Sequence, residues 1–387
     1  MKALHFGAGN IGKGLIGYLL NKSGFEICFV DANEYTVNSM NRSNSYFFEL
    51  LDEDHTAEII SPVRALHSSS QEQVINEIVE ADLITTSVGV DNLSKIAPVL
   101  SKGLLKRIQL GRRNIDIIAN ENMINASSKL KEEIQRNIPN SDMETICKHV
   151  GFPNSAIDRL SLSEERSEGV VTLVEPYYEW MIEKPGLLNS DLPSINNATY
   201  VAELKPYIER KLYIVNMGHA ATAYTAFLEG YTTIQSALMN PEIEKFLRET
   251  LKESASYFTQ IYNFEDAEII GFIDQTIKRF KNDNISDDIL RVGRSPIRKL
   301  GFDERLIKPT RVLFELGLPT EKLTTAVATA FLFHNTHDEE SVTIQSYIRE
   351  QGIEQAIDHF TGLEDATLKR KIKDKYIRLK ENYSSKS

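Results

Sequence analysis

The first half of the chain alternates short apolar runs with segments whose apolar residues recur at helical spacing. Residues 1–6 form one apolar run, which predicts a buried strand. Ile11, Leu15, Ile16 and Leu19 then recur every three or four positions, which predicts a helix that packs through one face. The N-terminus is therefore expected to fold as a strand that leads into a helix.

Strand-sized and helix-sized segments continue to alternate as far as residue 119. This rhythm is typical of a doubly wound sheet of parallel strands with helices on both faces. The predicted strands cover residues 25–30, 57–60, 82–90, 115–119 and 170–174, and the predicted helices cover 71–79 and 93–106.

The second half of the chain has a helical pattern almost throughout. Between residues 185 and 197 the composition shifts to Pro, Asn and Ser, which favours a domain boundary. We expect an α/β fold, with a Rossmann-type doubly wound sheet in residues 1–193 and a mostly α-helical substrate and catalytic domain in residues 194–387. The predicted helices cover 198–215, 219–229, 240–261, 266–281, 304–317, 321–333, 340–360 and 364–381.

Three glycines follow the first predicted strand in the order GxGxxG. Gly7 permits a tight turn, Gly9 lets the backbone approach a pyrophosphate, and Gly12 lets the helix pack closely on the strand. The phosphates are then held at the helix N-terminus by its unpaired N–H groups. Between a strand and a helix, this turn predicts a dinucleotide site.

The second predicted strand leads to Asp31, at the position where a carboxylate accepts hydrogen bonds from the adenosine ribose. A carboxylate there repels the additional phosphate of NADP, so NAD is the expected cofactor. Polar residues also lie near the carboxyl ends of the predicted strands 82–90 and 115–119, at the edge where such sheets bind ligands. The predicted cofactor contacts are Phe6, Gly7, Ala8, Gly9, Asn10, Ile11, Gly12, Asp31, Thr86, Val88 and Asn122.

Charge and composition narrow the choice of partners. The 387 residues include 55 acidic and 44 basic side chains, for a formal net charge of -11, and contain no block of Lys or Arg. Nucleic acids and anionic membranes are therefore not expected as partners. The apolar runs are strand-sized, which predicts neither a signal peptide nor a transmembrane span. Cys28 and Cys147 lie far apart, which favours the reducing cytoplasm.

In the helical half, Lys211, Asn216 and His219 are the main candidates for catalysis. At about 100° per residue, Asn216 and His219 lie about 60° apart around a helix, and Lys211 is rotated about 80° from His219. All three side chains can therefore face one cleft. Lys211 and His219 are about 12 Å apart along a helix axis, so the lysine stem, or a bend near Gly218, has to shorten that distance.

Several motifs together resemble the polyol-specific long-chain dehydrogenases. They are GAGNIG, ITTSVG, ANEN, VGFPNSAIDRL, ERKLYIVNMGHA, RVGRSPIRKL and DERLIKP. The resemblance implies a metal-independent enzyme, a monomer or small homo-oligomer, that interconverts mannitol 1-phosphate and fructose 6-phosphate with NAD. It also implies that Lys211 is the general base. Asn216 and His219 would then donate hydrogen bonds to the developing oxyanion.

The resemblance extends to the substrate contacts. Arg291 and Lys299 match substrate-contacting positions of the family, and Arg294 and Arg298 lie in the same segment. A phosphorylated substrate needs a cationic site, and which of these four residues holds the phosphate stays open. Asn154 matches a substrate-contacting asparagine of related members, although closer relatives often carry other residues there.

The sequence leaves alternatives to this interpretation. Tyr207 and Lys211 fit the YxxxK spacing of short-chain dehydrogenases, but that family has one compact domain and a different glycine pattern. Residues 334–340 are more typical of a solvated acidic helix start than of a zinc site. An unphosphorylated polyol or a hexuronate is an alternative substrate. A noncatalytic NADH sensor is an alternative function, although a sensor does not need Asn216 and His219 beside a lysine.

Overall fold

The apolar N-terminal run forms an inner strand of a six-stranded sheet. The computed structural model describes residues 1–167 and 169–384, so residues 168 and 385–387 lie outside the described residues. The chain divides into a first unit, Met1–Tyr207, and a second unit that begins at Ile208. The strands are β1 (Lys2–Phe6), β2 (Glu26–Asp31), β3 (Tyr46–Leu50), β4 (Ala57–Ile60), β5 (Val63–His67), β6 (Leu83–Thr86), β7 (Ile115–Ala119), β8 (Val150–Gly151), β9 (Ser155–Asp158), β10 (Ser161–Arg166), β11 (Gly169–Val174), β12 (Glu179–Glu183) and β13 (Thr199–Val201).

The main sheet has the order β5-β2-β1-β6-β7-β8, and all of its strand pairs are parallel. Along β1, Ala3 joins the core on one face of the sheet, whereas Leu4 and Phe6 join the core on the other. Burial on both faces explains why its strands are continuous apolar runs rather than alternating ones. The predicted doubly wound sheet is confirmed.

Two smaller sheets extend the first unit, with the orders β10-β11-β3-β4 and β13-β12-β9. The sequence predicted a helix from residue 198, which is wrong at its start because Thr199–Val201 pairs in parallel with β12, Met181 lying opposite Thr199. This pairing groups the segment with the first unit. The division at Tyr207 therefore lies beyond the boundary expected after residue 193.

The helix after the glycine turn begins with π winding over Gly12–Gly17, before α1 (Tyr18–Lys22). Nearby backbone carbonyls are hydrogen-bonded by side chains from the smaller sheets and their connections. Ser161 donates to the carbonyl of Asn10, Tyr46 to that of Lys13, and Arg159 to that of Gly14, each at 2.8 Å. These long-range donors stabilise a winding that the periodicity of apolar residues did not predict.

The second unit is helical, as predicted. The predicted helix 340–360 divides at Gly352, whose φ of +86° ends a helix without steric cost. No helix within residues 1–167 and 169–384 is both long and apolar enough to cross a membrane. The remaining helices are α2 (Glu34–Ser43), α3 (Gln71–Glu80), α4 (Leu93–Gln109), α5 (Ala126–Gln135), α6 (Asn140–His149), α7 (Lys205–Arg210), α8 (Met217–Leu228), α9 (Ile234–Leu238), α10 (Pro241–Tyr262), α11 (Asp266–Phe280), α12 (Ile289–Gly293), α13 (Pro296–Lys299), α14 (Ile307–Glu315), α15 (Glu321–Leu332), α16 (Glu339–Gln351), α17 (Ile353–Thr361) and α18 (Ala366–Ser384).

Candidate active site

The glycine turn after β1 has the close contacts that a dinucleotide turn requires. Gly7 has a φ of +101°, and a Cβ there would lie 2.5 Å from the carbonyl oxygen of Ser87. A Cβ on Gly12 would lie 2.0 Å from the carbonyl oxygen of Gly7. At Gly9, by contrast, no described atom lies within 4 Å of a Cβ position. The turn is therefore closed at its two ends and open at its middle glycine, where a phosphate has to approach.

Asp31 fixes this turn from the end of β2. Its Oδ2 accepts a hydrogen bond from the backbone N–H of Ala8 at 2.6 Å, and its Oδ1 accepts one from Asn33 at 2.8 Å. A carboxylate has about four acceptor positions, so Asp31 can still accept hydrogen bonds from two ribose hydroxyls. The residues of the turn therefore fit an adenine dinucleotide whose ribose carries no additional phosphate.

His5 lies directly beneath the turn and is fully buried. Its ring nitrogens lie 2.6 Å from Oγ1 of Thr85 and 2.9 Å from Oγ of Ser87. Burial lowers the pKa of His5 to about 3, so the ring stays neutral at physiological pH. No positive charge therefore forms under the turn, and His5 supports it only through hydrogen bonds and packing.

Glu121 organises the loop after β6; the sequence placed it at the carboxyl end of a predicted strand but did not predict it as a cofactor contact. Its carboxylate accepts hydrogen bonds from the Thr86 hydroxyl at 2.8 Å and from the backbone N–H groups of Val88 at 3.0 Å and Gly89 at 2.8 Å. The polar groups of Thr86 and Val88 are thus held by Glu121, while Asn122 is exposed beside it. The roles of these residues toward a cofactor stay predictions.

In the second unit, Lys211 and Asn216 begin and end a segment of π winding, Lys211–Asn216. Because π hydrogen bonds join residues five apart, this winding brings the two residues to the same side of the helix. The hydroxyl of Ser254 donates to the Tyr213 carbonyl at 2.7 Å within this segment. Gly218, where the sequence suggested a bend, lies inside regular α8 and packs against α10, so the wider winding replaces the bend.

A cleft of about 610 Å³ in the second unit collects most of the predicted substrate-side residues. Lys211 is not among the lining residues and lies one π turn before Asn216. The predicted residues that line the cleft are Asn216, His219, Arg291, Arg294, Arg298 and Lys299; Arg305, His337, Asp338, Glu339 and Glu340 line it as well.

Lys299 is the buried cation of the cleft, with 5% of its surface exposed. Burial lowers the pKa of Lys299 to about 7, and the nearby charges of Arg305 and Arg298 act in the same direction. Its amine donates to the carbonyl oxygen of Val292. Arg305 belongs to the DERLIKP motif but was not predicted as a contact, because nothing in its spacing connects it to α13.

The start of α16 closes one side of this cleft, and Asp338 is buried there although residues 334–340 were expected to be a solvated acidic helix start. The Asp338 carboxylate is buried and accepts a hydrogen bond from the backbone N–H of Ser295 at 3.0 Å. Glu340 accepts one from the backbone N–H of Arg298 at 3.0 Å. Both contacts fix the backbone that carries the cationic side chains, including Ser295 with its φ of +56°.

Arg291 and His219 are joined by Asp287, a residue that the sequence did not single out. The guanidinium of Arg291 donates to Oδ1 of Asp287, and Nε2 of His219 lies 3.2 Å from Oδ2. Burial acts to raise the pKa of Asp287, but contact with His219 and the charge of Arg291 outweigh it, so this pKa is lowered. Arg291 thus donates to a carboxylate while it lines the cleft, and its role toward substrate stays a prediction.

Asn154 is the one predicted substrate contact that belongs to the first unit. Its side-chain oxygen accepts a hydrogen bond from the backbone N–H of Ser128 at 3.1 Å, and its amide nitrogen donates to the Ser128 hydroxyl at 3.0 Å. This side chain supports the start of α5, and its role toward substrate stays a prediction. Within the described residues, no three His, Cys, Asp or Glu side chains cluster as a metal site.

Comparison with known proteins identifies the family. Residues 1–196 match the family model of the mannitol dehydrogenase Rossmann domain, and residues 203–380 match that of the mannitol dehydrogenase C-terminal domain. The chain belongs to the mannitol dehydrogenase family. The resemblance inferred from the sequence motifs is therefore confirmed.

Relatives within the mannitol dehydrogenase family match nearly the whole chain. The mannitol-1-phosphate 5-dehydrogenase of Bacillus licheniformis is 40% identical over 366 residues, which are 94% of this chain and 96% of the relative. That of Geobacillus stearothermophilus is 40% identical over 383 residues, 98% of this chain and 100% of the relative. A crystal structure of D-sorbitol dehydrogenase in substrate-free form shares the fold, with a TM-score of 0.84 at 13% identity, over 98% of this chain and 93% of that one.

Proposed function

We propose that this chain is an NAD-dependent mannitol-1-phosphate 5-dehydrogenase, which oxidises D-mannitol 1-phosphate to D-fructose 6-phosphate and catalyses the reverse reduction. The observation that carries the proposal is the cleft in which Asn216 and His219 lie together with the cationic side chains of the α12–α13 segment. A polyol phosphate offers hydroxyls to Asn216 and His219 and a dianionic phosphate to the cationic side chains. Relatives of this name at 40% identity support the same substrate.

The first unit supplies the cofactor site. NAD, when bound, accepts the hydride from the substrate carbon. The backbone of the Gly7–Gly12 turn would hold its pyrophosphate, and Asp31 would accept hydrogen bonds from its adenosine ribose. The loop that Glu121 holds, with Thr86, Val88 and Asn122, lies at the carboxyl ends of the strands, where such sheets bind their ligands.

The second unit supplies proton transfer and substrate binding. Lys211 takes the proton of the substrate hydroxyl as general base while the hydride leaves the same carbon. A lysine amine accepts a proton only in its neutral form. Asn216 and His219 hydrogen-bond the polar groups around the reacting carbon. This scheme moves one proton and one hydride and requires no metal.

The decisive experiment follows NADH oxidation at neutral pH with fructose 6-phosphate and with fructose, each with and without a chelator. We expect rapid turnover with fructose 6-phosphate but not with fructose, and the same rate in the presence and absence of the chelator. Turnover with fructose would transfer the proposal to an unphosphorylated polyol. If neither sugar supports NADH oxidation, the proposed substrate is contradicted, and a hexuronate substrate or an NADH sensor is favoured. Inhibition by the chelator would contradict metal independence.

Replacing Asp31 with serine is expected to change the cofactor preference. Loss of the carboxylate removes the hydrogen bonds to the ribose and the repulsion of an additional phosphate, so NAD should bind about 10- to 100-fold more weakly and NADP more tightly. Dissociation constants for both cofactors, measured by fluorescence titration, test this. Glu34→Gln, a change in an exposed acid on α2, is the matched control. If the ratio of the dissociation constants for NAD and NADP is unchanged in Asp31→Ser, the assignment of Asp31 to the adenosine ribose is refuted.

We also propose a cytoplasmic protein that acts as a monomer or small homo-oligomer, without nucleic-acid or membrane partners. The two cysteines are free thiols, Cys28 being buried, which supports a reducing compartment. The net charge of -11 disfavours binding to polyanions. Light scattering of the purified protein measures the oligomeric state directly.

A further inference from the structure

We propose that Asp287 is a positioning residue that orients the imidazole of His219, and that Arg291 holds the Asp287 carboxylate in place. The proposal rests on the proposed function, because it assigns a task to His219 in the same reaction. It also gives Arg291 a task other than direct substrate contact. None of the sequence motifs pointed to Asp287.

The backbone of Asp287 is fixed before α12 begins. Its carbonyl accepts a hydrogen bond from the N–H of Ile234 at 2.9 Å, and its N–H donates to the Gln235 side chain at 3.0 Å. The side chain is 17% exposed, and its two oxygens face different partners, Arg291 through Oδ1 and His219 through Oδ2. Because its backbone and its Oδ1 are both held, the Asp287 carboxylate stays in place and can fix the orientation of the His219 ring.

The imidazole ring of His219 is contacted on one face by Phe280 and at Nε2 by Asp287. It stacks on Phe280, with ring centroids 4.7 Å apart and an angle of 22° between the planes. Nε2 is buried and lies 3.2 Å from Oδ2 of Asp287, without the direction of a well-formed hydrogen bond. Catalytic hydrogen bonds are commonly long or misaligned before substrate binds, and they tighten in the complex. With Nε2 facing Asp287, Nδ1 is the nitrogen left to contact substrate.

This arrangement decides which ring nitrogen carries the proton. The negative charge of Asp287 favours a proton on Nε2. In a neutral imidazole, a proton on one ring nitrogen leaves the other nitrogen as a hydrogen-bond acceptor. In the neutral ring, Nδ1 of His219 then accepts a hydrogen bond from a substrate hydroxyl next to the reacting carbon. The proton of the reacting hydroxyl goes to Lys211, so the ring of His219 stays neutral and Nε2 keeps its proton throughout the reaction.

The test replaces Asp287 with asparagine, which keeps the shape but removes the charge and can donate to Nε2. We expect kcat with fructose 6-phosphate to fall about 10- to 100-fold. We expect the KM for NADH and the Tm to stay unchanged. In ¹⁵N spectra of the imidazole, the wild-type ring should carry its proton on Nε2, and the ring of Asp287→Asn should carry it on Nδ1. His219→Gln assigns the signals.

The matched control is Asp288→Asn, at the neighbouring acid. Asp288 caps α12 by accepting the N–H of Arg291 at 2.7 Å, and asparagine caps helices equally well. This variant should keep kcat and the imidazole spectrum of the wild type. A second pair of variants tests the geometry at His219 itself. Asparagine there retains a polar atom near the position of Nδ1 and glutamine one near Nε2, so His219→Asn should keep more activity than His219→Gln.

The outcomes separate this proposal from the proposed function. Unchanged kcat in Asp287→Asn, an unchanged tautomer, or greater activity in His219→Gln than in His219→Asn would overturn the role of Asp287. If the wild type does not reduce fructose 6-phosphate, the proposed function fails. The comparison of tautomers in the wild type and Asp287→Asn still decides whether Asp287 determines which ring nitrogen of His219 carries the proton.

Discussion

Lys211→Ala is expected to lower kcat with fructose 6-phosphate about 10²- to 10⁴-fold, the range that general acid–base groups contribute. The reason is that the proton of the substrate oxygen loses its partner, whereas the Gly7–Gly12 turn and Asp31 belong to the first unit and keep the cofactor. Steady-state kinetics measure the loss. Fluorescence titration with NADH should give a wild-type dissociation constant.

Two further variants separate proton transfer from charge and from folding. Lys211→Arg keeps a cation but cannot deprotonate at any accessible pH, so it should be as inactive as Lys211→Ala. Lys205→Ala, at an exposed lysine on α7, should retain full activity and serves as the matched control. Substantial turnover by Lys211→Arg would rule out a lysine base, because the arginine would then be acting through its charge alone.

The fold was predictable because its signals are local. The strand that ends at Phe6, the glycines at 7, 9 and 12, and the carboxylate at 31 lie within one short stretch of chain, and each has a direct geometric consequence. The short strand before the second unit was not predictable. Thr199–Val201 consists of strand-favouring residues, but three residues are too few to predict a strand, and this segment pairs because β12 offers it a parallel edge.

The cleft shows the same distinction at the level of side chains. Asn216 and the α12–α13 cations could be identified because they are chemically distinctive residues in recognisable motifs. The π winding at Lys211 could not be predicted, since a six-residue segment is too short for the spacing of apolar residues to distinguish it from an α-helix. Asp287 and Glu121 are ordinary acidic residues in the sequence, and only their contacts with distant partners give them a role.

Carboxylates fix the backbone at both proposed anion sites, although the chain has a net charge of -11. Asp31, Glu121, Asp338 and Glu340 each accept hydrogen bonds from backbone N–H groups and thereby fix a loop. The cations of the cleft are carried on the backbone that Asp338 and Glu340 hold. Net charge describes interactions with large polyanions, whereas the local arrangement decides what a cleft binds.

If Lys299 holds the phosphate, Lys299→Met is expected to lower kcat/KM for fructose 6-phosphate about 100-fold, because it removes a buried cation from that charge pair. The effect should depend on pH. Burial, together with Arg305 and Arg298, lowers the pKa of Lys299 to about 7, so in the free protein the amine loses its charge as the pH rises through 7. A phosphate is dianionic above a pH of about 6 and requires the charged amine, so its binding takes up a proton.

The wild-type KM for fructose 6-phosphate should therefore rise about tenfold per pH unit above pH 7, because each unit makes the charged amine tenfold rarer. In Lys299→Met the same profile should be flat, since the arginines stay charged throughout this range. Lys278→Met, at an exposed lysine on α11, should keep the wild-type profile. A wild-type KM that does not change between pH 7 and pH 9 would exclude Lys299 from the phosphate site and leave Arg294, Arg298 and Arg305 as its cations.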